Sequence, residues 1–414
     1  MARRALVIGG SVGGLFAANL LRQSGWDVTV FERASGHLGD RGTGIGTREE
    51  LFAVMRRIGV PAGATTGVEV RGRIGLSRDG ATIHELPVRA VTSAWSRIWH
   101  PLRQALPDDR YRGGMALTGI EQDSGTVTAT FGDGSRVEAD LLVAADGLHS
   151  TVRGLLLPEA KPRYAGYVAW RGVVEERAVD ASLRDTVFHH MLFGFPDGEL
   201  MLSLPMPGPD HGPHRGERRC HFVWFRPVPE DALAGLCTDV TGRQHGVSIP
   251  PPLIRPELIV EVKRSAAALL GPQLAALVRA APQIILQPIF DLDSPRIAFG
   301  RVALLGDAAF VARPHVATGV MKAALDAQCL ADALTEASGD TDAALTRYDN
   351  ERRRFGSWLV ERGRHIGGYF QARDTEPQAR IERLMREYGA AGLVGGEAIT
   401  AQGAHTSINE NGGR

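Results

Sequence analysis

The sequence predicts an α/β fold with a parallel nucleotide-binding sheet, an inserted and mainly antiparallel second sheet, and C-terminal helices. Three observations predict it. The apolar run Ala5-Leu6-Val7-Ile8 stops at the cluster Gly9-Gly10-Ser11-Val12-Gly13-Gly14, and a second apolar run, Val28 to Phe31, follows after a helix-like segment. Two later apolar runs, Leu141 to Ala144 and Val302 to Leu305, each lead into a turn containing Asp and Gly. Between them, residues 163–230 carry several strand-like runs. Short apolar runs bounded by turn residues suit strands buried on both faces, and a strand–helix–strand opening is the building unit of parallel sheets.

Residues 5–8 read as a strand, and residues 13–24 as a helix with Leu15, Ala18, Leu20 and Leu21 on its apolar side. Residues 37–47 are a glycine-rich loop, and a helix is expected near 48–58. Alternation over 66–93, with the turn pair Asp79-Gly80, predicts antiparallel hairpins. Residues 115–145 read as a meander turning at Asp133-Gly134. Strands are expected at Tyr167 to Val174, Val187 to Phe193, Leu200 to Leu204 and His221 to Phe225, with an exposed connection over 205–219. Helices are expected over 257–281, 319–336 and 343–370, and the last dozen residues as a frayed tail.

Composition excludes several classes. The chain has 414 residues, with 47 basic and 47 acidic side chains, so it lacks the charge excess that nucleic acid or an anionic membrane selects. Its three cysteines, Cys220, Cys237 and Cys329, form no C-x-x-C pair, which argues against a disulfide framework or a zinc knuckle; no metal site is expected. The apolar stretch after Met1-Ala2-Arg3-Arg4 is too short for a signal peptide, and no run approaches the ~18 residues of a membrane span. A cytoplasmic protein is expected.

In a dinucleotide fingerprint, the first glycine permits the turn, the second lets the backbone approach the pyrophosphate, and the third lets helix and strand pack closely. Gly9 and Gly14 fill the first and third positions, and Ser11 takes the second, where its N–H or hydroxyl can still meet phosphate. Glu32, at the end of the second strand, is placed to accept from a ribose hydroxyl. A second motif, Ala145-Asp146-Gly147-Leu148-His149-Ser150-Thr151-Val152-Arg153, and a third, Gly306-Asp307-Ala308-Ala309 followed by Arg313-Pro314-His315 and Gly319, also end buried strands. Either Asp alone could simply cap a helix. The order of all three motifs is what points to a nucleotide site.

These motifs resemble the single-component flavoprotein aromatic hydroxylases, the para-hydroxybenzoate hydroxylase fold family, over residues 4–370. The segments Gly42-Thr43-Gly44-Ile45, Tyr164 to Gly172 and Arg313 to Ala317 carry the resemblance toward the hydroxypyridine branch. It implies a Rossmann-type FAD-binding domain formed by residues 1–70, 95–165 and 285–340. It further implies a substrate domain of 71–94 and 166–284, a helical region at 341–400, and a tail at 401–414. By position, Gly9, Ser11, Gly14, Glu32 and Arg33 would hold the ADP half of FAD, with Gly44 in the loop that carries the resemblance. Arg103 matches an arginine near the pyrophosphate, although a solvated helical arginine would look the same. Asp307 would bond the ribitol, with Gly306 and Pro314 around it. Asp146 and Arg153 would organise the site and the nicotinamide approach. Gly319 would open a helix facing the flavin pyrimidine edge. The chain departs from the family at Phe310, where many members carry His, and at Ala317, where many carry Gly.

The resemblance implies that NAD(P)H reduces FAD and that dioxygen forms a flavin hydroperoxide, which hydroxylates an electron-rich ring. No second fingerprint and no redox cysteine pair occur, which disfavours a flavin disulfide reductase. Other reactions on a larger natural product, or flavin binding without turnover, remain alternatives, and a homodimer follows only from family analogy. Ring chemistry calls for a base or proton relay in the pocket. His189, His190, His221 and His315 are candidates, with Tyr167, Trp170 and Trp224 as walls; for each His the competing reading is a satisfied core or surface residue. His315 is favoured because Pro314 and Gly319 bracket it. Trp170-Arg171 reads as a buttress of the sheet.

Overall fold

A computed structural model describes residues 3–388 except 37, 40–42, 64–65, 209–213, 247 and 372–376. Gly42 and the expected tail at 401–414 therefore lie outside the described residues.

The first sheet is built on Arg4–Ile8, whose last four residues are fully buried. It pairs in parallel with Asp27–Glu32 on one side and Leu141–Ala144 on the other. Val302–Leu304 extends it in parallel beyond Leu141–Ala144, and Tyr111–Gly113 extends it beyond Asp27–Glu32. The helix Val12–Gln23 buries ten of its twelve residues against this sheet and the helix Gly319–Glu336. A crossover helix with this burial is what parallel neighbours require. All three motifs leave C-terminal strand ends of this one sheet, where open parallel sheets bind ligands.

The second sheet has eight strands. In spatial order they are Phe310–Val311, Ile284–Asp293, Arg163–Glu175, Arg219–Pro227, Leu200–Met206, His190–Gly194, Gly72–Leu76 and Thr82–Leu86. Every pairing is antiparallel except that of His190–Gly194 with Gly72–Leu76. The register of Arg163–Glu175 against Ile284–Asp293 shifts between Tyr164 and Val168. The sheet has two faces. Val168, Trp170, Phe222 and Trp224 pack with Val262, Leu274 and Leu277 of the helices Pro256–Leu269 and Pro272–Ala280. Tyr167, Ala169, Val223 and Phe225 pack instead with Val316 and Tyr388. Strand alternation alone sorts these residues, two apart on each face.

Two expectations need correction. The expected helix over 257–281 is two helices, because Pro272 has no N–H to continue the first and begins the second as its first residue. The expected strand from Val187 is the helix Ala181–His189, with the strand starting at His190. Asp180 caps that helix by accepting from Ser182 N–H at 2.9 Å, a local signal that outweighs the β-branched run. The hairpin turning at Asp79-Gly80 and the antiparallel strands at Leu117–Gln122, Val127–Phe131 and Arg136–Ala139 form as expected. No helix among the described residues is long and apolar enough to cross a membrane.

Candidate active site

A cleft of about 390 Å³ opens at the C-terminal ends of the parallel strands. Gly9, Ser11, Glu32, Arg33, Thr43, Trp95, Asp146, Gly147 and His149 are among its lining residues. The turn that forms its floor demands glycine. Gly9 has φ +108°, and a Cβ there would stand 2.3 Å from the Ala145 carbonyl oxygen. A Cβ on Gly14 would stand 1.9 Å from the Gly9 carbonyl oxygen. Ser11 precedes the helix Val12–Gln23, and its hydroxyl makes no capping bond. The helix N-terminus is therefore presented to the cleft with a spare hydroxyl.

Glu32 closes the turn from the other side. Its carboxylate accepts from Gly10 N–H at 2.7 Å and from Ala34 N–H at 2.9 Å. Trp99 donates through Nε1 to the Gly10 carbonyl at 2.9 Å. Arg103 stacks over the Tyr111 ring at 4.6 Å and pairs with Asp108 at 2.8 Å. The Tyr111 hydroxyl in turn lies against Gly10. Arg103 thus stands one ring away from the glycine turn. Arg33 is exposed at the cleft wall.

Asp146 lines the cleft with Oδ2 accepting from Val152 N–H at 3.2 Å and Oδ1 buried without a partner. Burial pushes its carboxyl above the ordinary value. Arg153 is buried, and its guanidinium donates to the carbonyls of Leu148, Ala160 and Ala308. The bond to Ala308, at 2.9 Å, ties the second motif to the third. Gly306 takes φ +64° and donates to Asp326, while the Asp307 side chain remains 57% exposed. Behind it, the buried Lys322 ammonium stands 4.0 Å from Asp307 and 3.7 Å from Asp326. Pro314 and His315 lie in a short 3-10 turn, and Gly319 opens the helix Gly319–Glu336.

The expected histidines go to different places. His315 is fully buried, with Nε2 2.7 Å from the Tyr167 hydroxyl, so two candidates form one pair. Burial and the neighbouring Arg313 push His315 down to about 3, so it is a neutral ring at pH 7. His221 sits on the same sheet face as Tyr167, beside Gly44. His190 lies three strands away from Arg163–Glu175 and bonds to the Thr186 carbonyl, and His189 turns to Asp185. Trp170 and Trp224 belong to the opposite, helix-covered face and do not wall this side. Phe310 is buried in the main core, with its ring against Gly356. Sequence reasoning missed Arg171, Gln287 and Lys322. For Arg171 a signal existed, since counting by twos from Tyr167 reaches it.

A relative from Paenarthrobacter nicotinovorans, 2,6-dihydroxypyridine 3-monooxygenase, is 32% identical over 334 residues, spanning 80% of this chain and 83% of its own. The chain belongs to the FAD-dependent aromatic monooxygenases. The solved structure of 2,6-dihydroxypyridine-3-hydroxylase from Arthrobacter nicotinovorans superposes on this monooxygenase with a TM-score of 0.85 and 29% identity, covering 91% of this chain and 96% of that one. Klebsiella pneumoniae HpxO, solved with FAD and uric acid, gives a TM-score of 0.75 at 26% identity, covering 94% and 92%. A family model described as FAD binding domain-like matches residues 164–291, which include the core of the eight-stranded sheet.

FAD is the monooxygenase's cofactor, and NAD(P)H is its reductant. The residues fit a dinucleotide: a glycine turn that a single Cβ would close, a helix N-terminus with a free hydroxyl, and the unpartnered Asp146 oxygen in the same cleft.

Proposed function

We propose that this monooxygenase adds one hydroxyl group to a small electron-rich ring of the hydroxypyridine type, using NAD(P)H and dioxygen. One observation carries the reading. The sheet face opposite Val316 is mostly apolar, with Ala169, Leu202, Leu204, Val223 and Phe225, yet it gathers Tyr167, Arg171, His221 and Gln287. An apolar wall with a few convergent polar groups suits a flat ring bearing hydroxyl substituents.

In this reading Gly9, Ser11, Gly14, Glu32 and Arg33 hold the nucleotide half of FAD, with Arg103 supporting the turn through Tyr111. Asp146, Gly306, Asp307, Pro314 and Gly319 frame the rest, and Arg153 holds the two motifs together. Bound FAD supplies the electrons and the activation of dioxygen. The protein orients the ring and keeps water out. Tyr167 and His315 form a dry pillar under the Pro314 turn, and Gly44 keeps the opposing strand close to His221. His190 takes no part on this geometry. The three free cysteines favour the cytoplasm, and a homodimer is the assembly to test by gel filtration.

The test is aerobic oxidation of NADH and NADPH across a panel of hydroxypyridines and phenols, with product masses recorded. Stimulated oxidation with a gain of one oxygen atom supports the reading. FAD-loaded enzyme that no panel member stimulates would overturn the substrate class.

A further inference from the structure

Lys322 is a cation held where nothing local favours it. It is 1% exposed, and among the described residues its ammonium has no hydrogen-bond partner. A charge enclosed in this way is costly. It is also the fourth residue of the helix Gly319–Glu336, where the positive end of the helix dipole opposes a cation. The carboxylate beside it does not need it. Asp326 already accepts from Arg352 Nε at 2.7 Å and from Gly306 N–H at 3.1 Å, while Lys322 stays 3.7 Å away.

Arg352 thus balances Asp326, and Lys322 is left to face Asp307, whose Oδ1 stands 4.0 Å off. The two ends of this pair differ. Lys322 is enclosed, whereas the Asp307 side chain is 57% exposed. Side chains on a helix lean toward its N-terminus, so Lys322 reaches back behind the Gly306 turn that carries Asp307. A ligand that covers Asp307 takes its carboxylate out of water too. The carboxylate then depends on Lys322, because its other charged neighbour, Asp326, is negative. The protein packed around the Asp307 carboxyl already raises it above its ordinary value, Lys322 opposes that shift and Asp326 adds to it.

The remaining ionisable groups nearby stay neutral. Tyr348, on the helix Thr341–Gln371, donates to the Leu304 carbonyl at 2.8 Å, and burial holds its phenol well above the ordinary value. Burial pushes the Cys329 thiol up to about 12. The helix Val12–Gln23, packed on Gly319–Glu336, has no ionisable side chain before Arg22.

We propose that Lys322 is a positioning residue for FAD: when the cofactor covers Asp307, the ammonium keeps that carboxylate ionised and aimed at a hydroxyl of the cofactor. The inference rests on the placement of Asp307 at FAD given above. Lys322 is enclosed, so it acts through Asp307. The hydroxyl donates its hydrogen bond, and no proton changes hands.

The test strips FAD from the full-length enzyme and retitrates it by flavin fluorescence at pH 8 and pH 5.5. Wild type, Lys322→Met, Asp307→Asn and the double variant are compared. Each variant is read against the wild type at the same pH, so titration elsewhere in the cleft, as at His149, cancels. At pH 8, Lys322→Met is expected to bind FAD about tenfold more weakly, because the covered carboxylate has lost its counter-charge. That carboxylate takes up a proton more readily in the complex, so affinity rises as pH falls, and the deficit is expected to shrink to about threefold at pH 5.5. Asp307→Asn strands Lys322 and is expected to lose about tenfold. The double variant removes both charges. It is expected to bind about as well as either single variant, against the loss of about a hundredfold that independent effects would give. If Lys322→Met does not fold, Lys322→Gln takes its place in the cycle. A hundredfold loss in the double variant, or a Lys322 deficit equal at both pH values, overturns the coupling and leaves Asp307 at the cofactor. FAD affinity unchanged by Asp307→Asn overturns the placement of Asp307 and the inference with it.

Discussion

Ala317 adopts φ +51° and ψ +31° at the end of the Pro314 turn. A residue with a Cβ costs roughly 1–2 kcal/mol in this left-handed region. Glycine removes that strain but gains freedom in the unfolded chain, worth roughly 0.4–1 kcal/mol. Ala317→Gly is therefore expected to stabilise the protein by about 0.5 kcal/mol, read as a small rise in the urea midpoint. Gly14→Ala goes the other way. Its new methyl would overlap the Gly9 carbonyl, and the purified variant is expected to emerge without FAD, as its absorbance at the flavin band will report. His315 makes a pH prediction. Its folded value of about 3 lies below the ordinary value of 6.5, so the unfolded chain binds the extra proton between them. Stability due to the neutral ring is complete above pH 6.5 and is lost as pH falls toward 3. His315→Gln cannot take up that proton. Its urea stability is expected to fall less than the wild type's between pH 7 and pH 5, by roughly 2 kcal/mol.

Among the elements, two ties hold the three strand-end motifs in place. The first is Arg153, whose three carbonyl bonds reach from the second motif to Ala308. Arg153→Ala orphans those carbonyls and is expected to cost on the order of 3 kcal/mol, with a matching loss of FAD affinity on titration. The second is the buried pair of Arg352 with Asp326, which fastens the helix Thr341–Gln371 to the helix Gly319–Glu336 beneath Gly306. Asp326 would keep Lys322, 3.7 Å away, as its counter-charge, so Arg352→Met loses a charged hydrogen bond and is expected to cost roughly 1.5–3 kcal/mol in a denaturation curve. These ties also mark the limit of what the sequence could tell. Gly9, Ser11, Gly14, Glu32 and Asp146 were legible because a turn against a helix N-terminus dictates residue types at fixed spacing. Arg153 was legible as a motif residue, but the reach of its side chain to Ala308 spans 155 positions and leaves no local trace. His315 and Tyr167 were each visible as candidates, yet nothing local says that they bond to one another across 148 positions. Arg171 was read together with Trp170 as a buttress, because two large residues in a strand are more often packing than ligand. Alternation sends the two to opposite faces, and only the tertiary packing says which face meets the cleft.

The whole molecule joins a parallel sheet that carries the three glycine and aspartate motifs to an antiparallel sheet that carries the proposed ring-binding wall. FAD binds the folded state alone, so stripping it is expected to lower the melting temperature. Each tenfold increase in free FAD above its Kd should then restore about 1.4 kcal/mol, seen as a stepwise rise in the melting midpoint. The parallel half was readable almost throughout, since strand ends and glycine turns repeat a rule. The antiparallel half was readable as strands but not as an order, because its neighbours come from residues as distant as Gly72 and Phe310. One feature of that half reaches furthest. Between Tyr164 and Val168 four steps along the strand match only two on its partner, Phe290 to Pro288, so two residues are surplus there. Removing both would leave each later side chain on its present face. Removing one, where the strand re-registers instead of keeping a one-residue bulge, would turn Arg171 toward the helices and bring Trp170 and Gly172 to the opposite face. Changes of length at this point are thus counted in parity. Even steps can drift without consequence, whereas an odd step replaces the chemistry of the wall in a single event, and descendants of this chain can diversify their diet of rings by arithmetic as readily as by substitution.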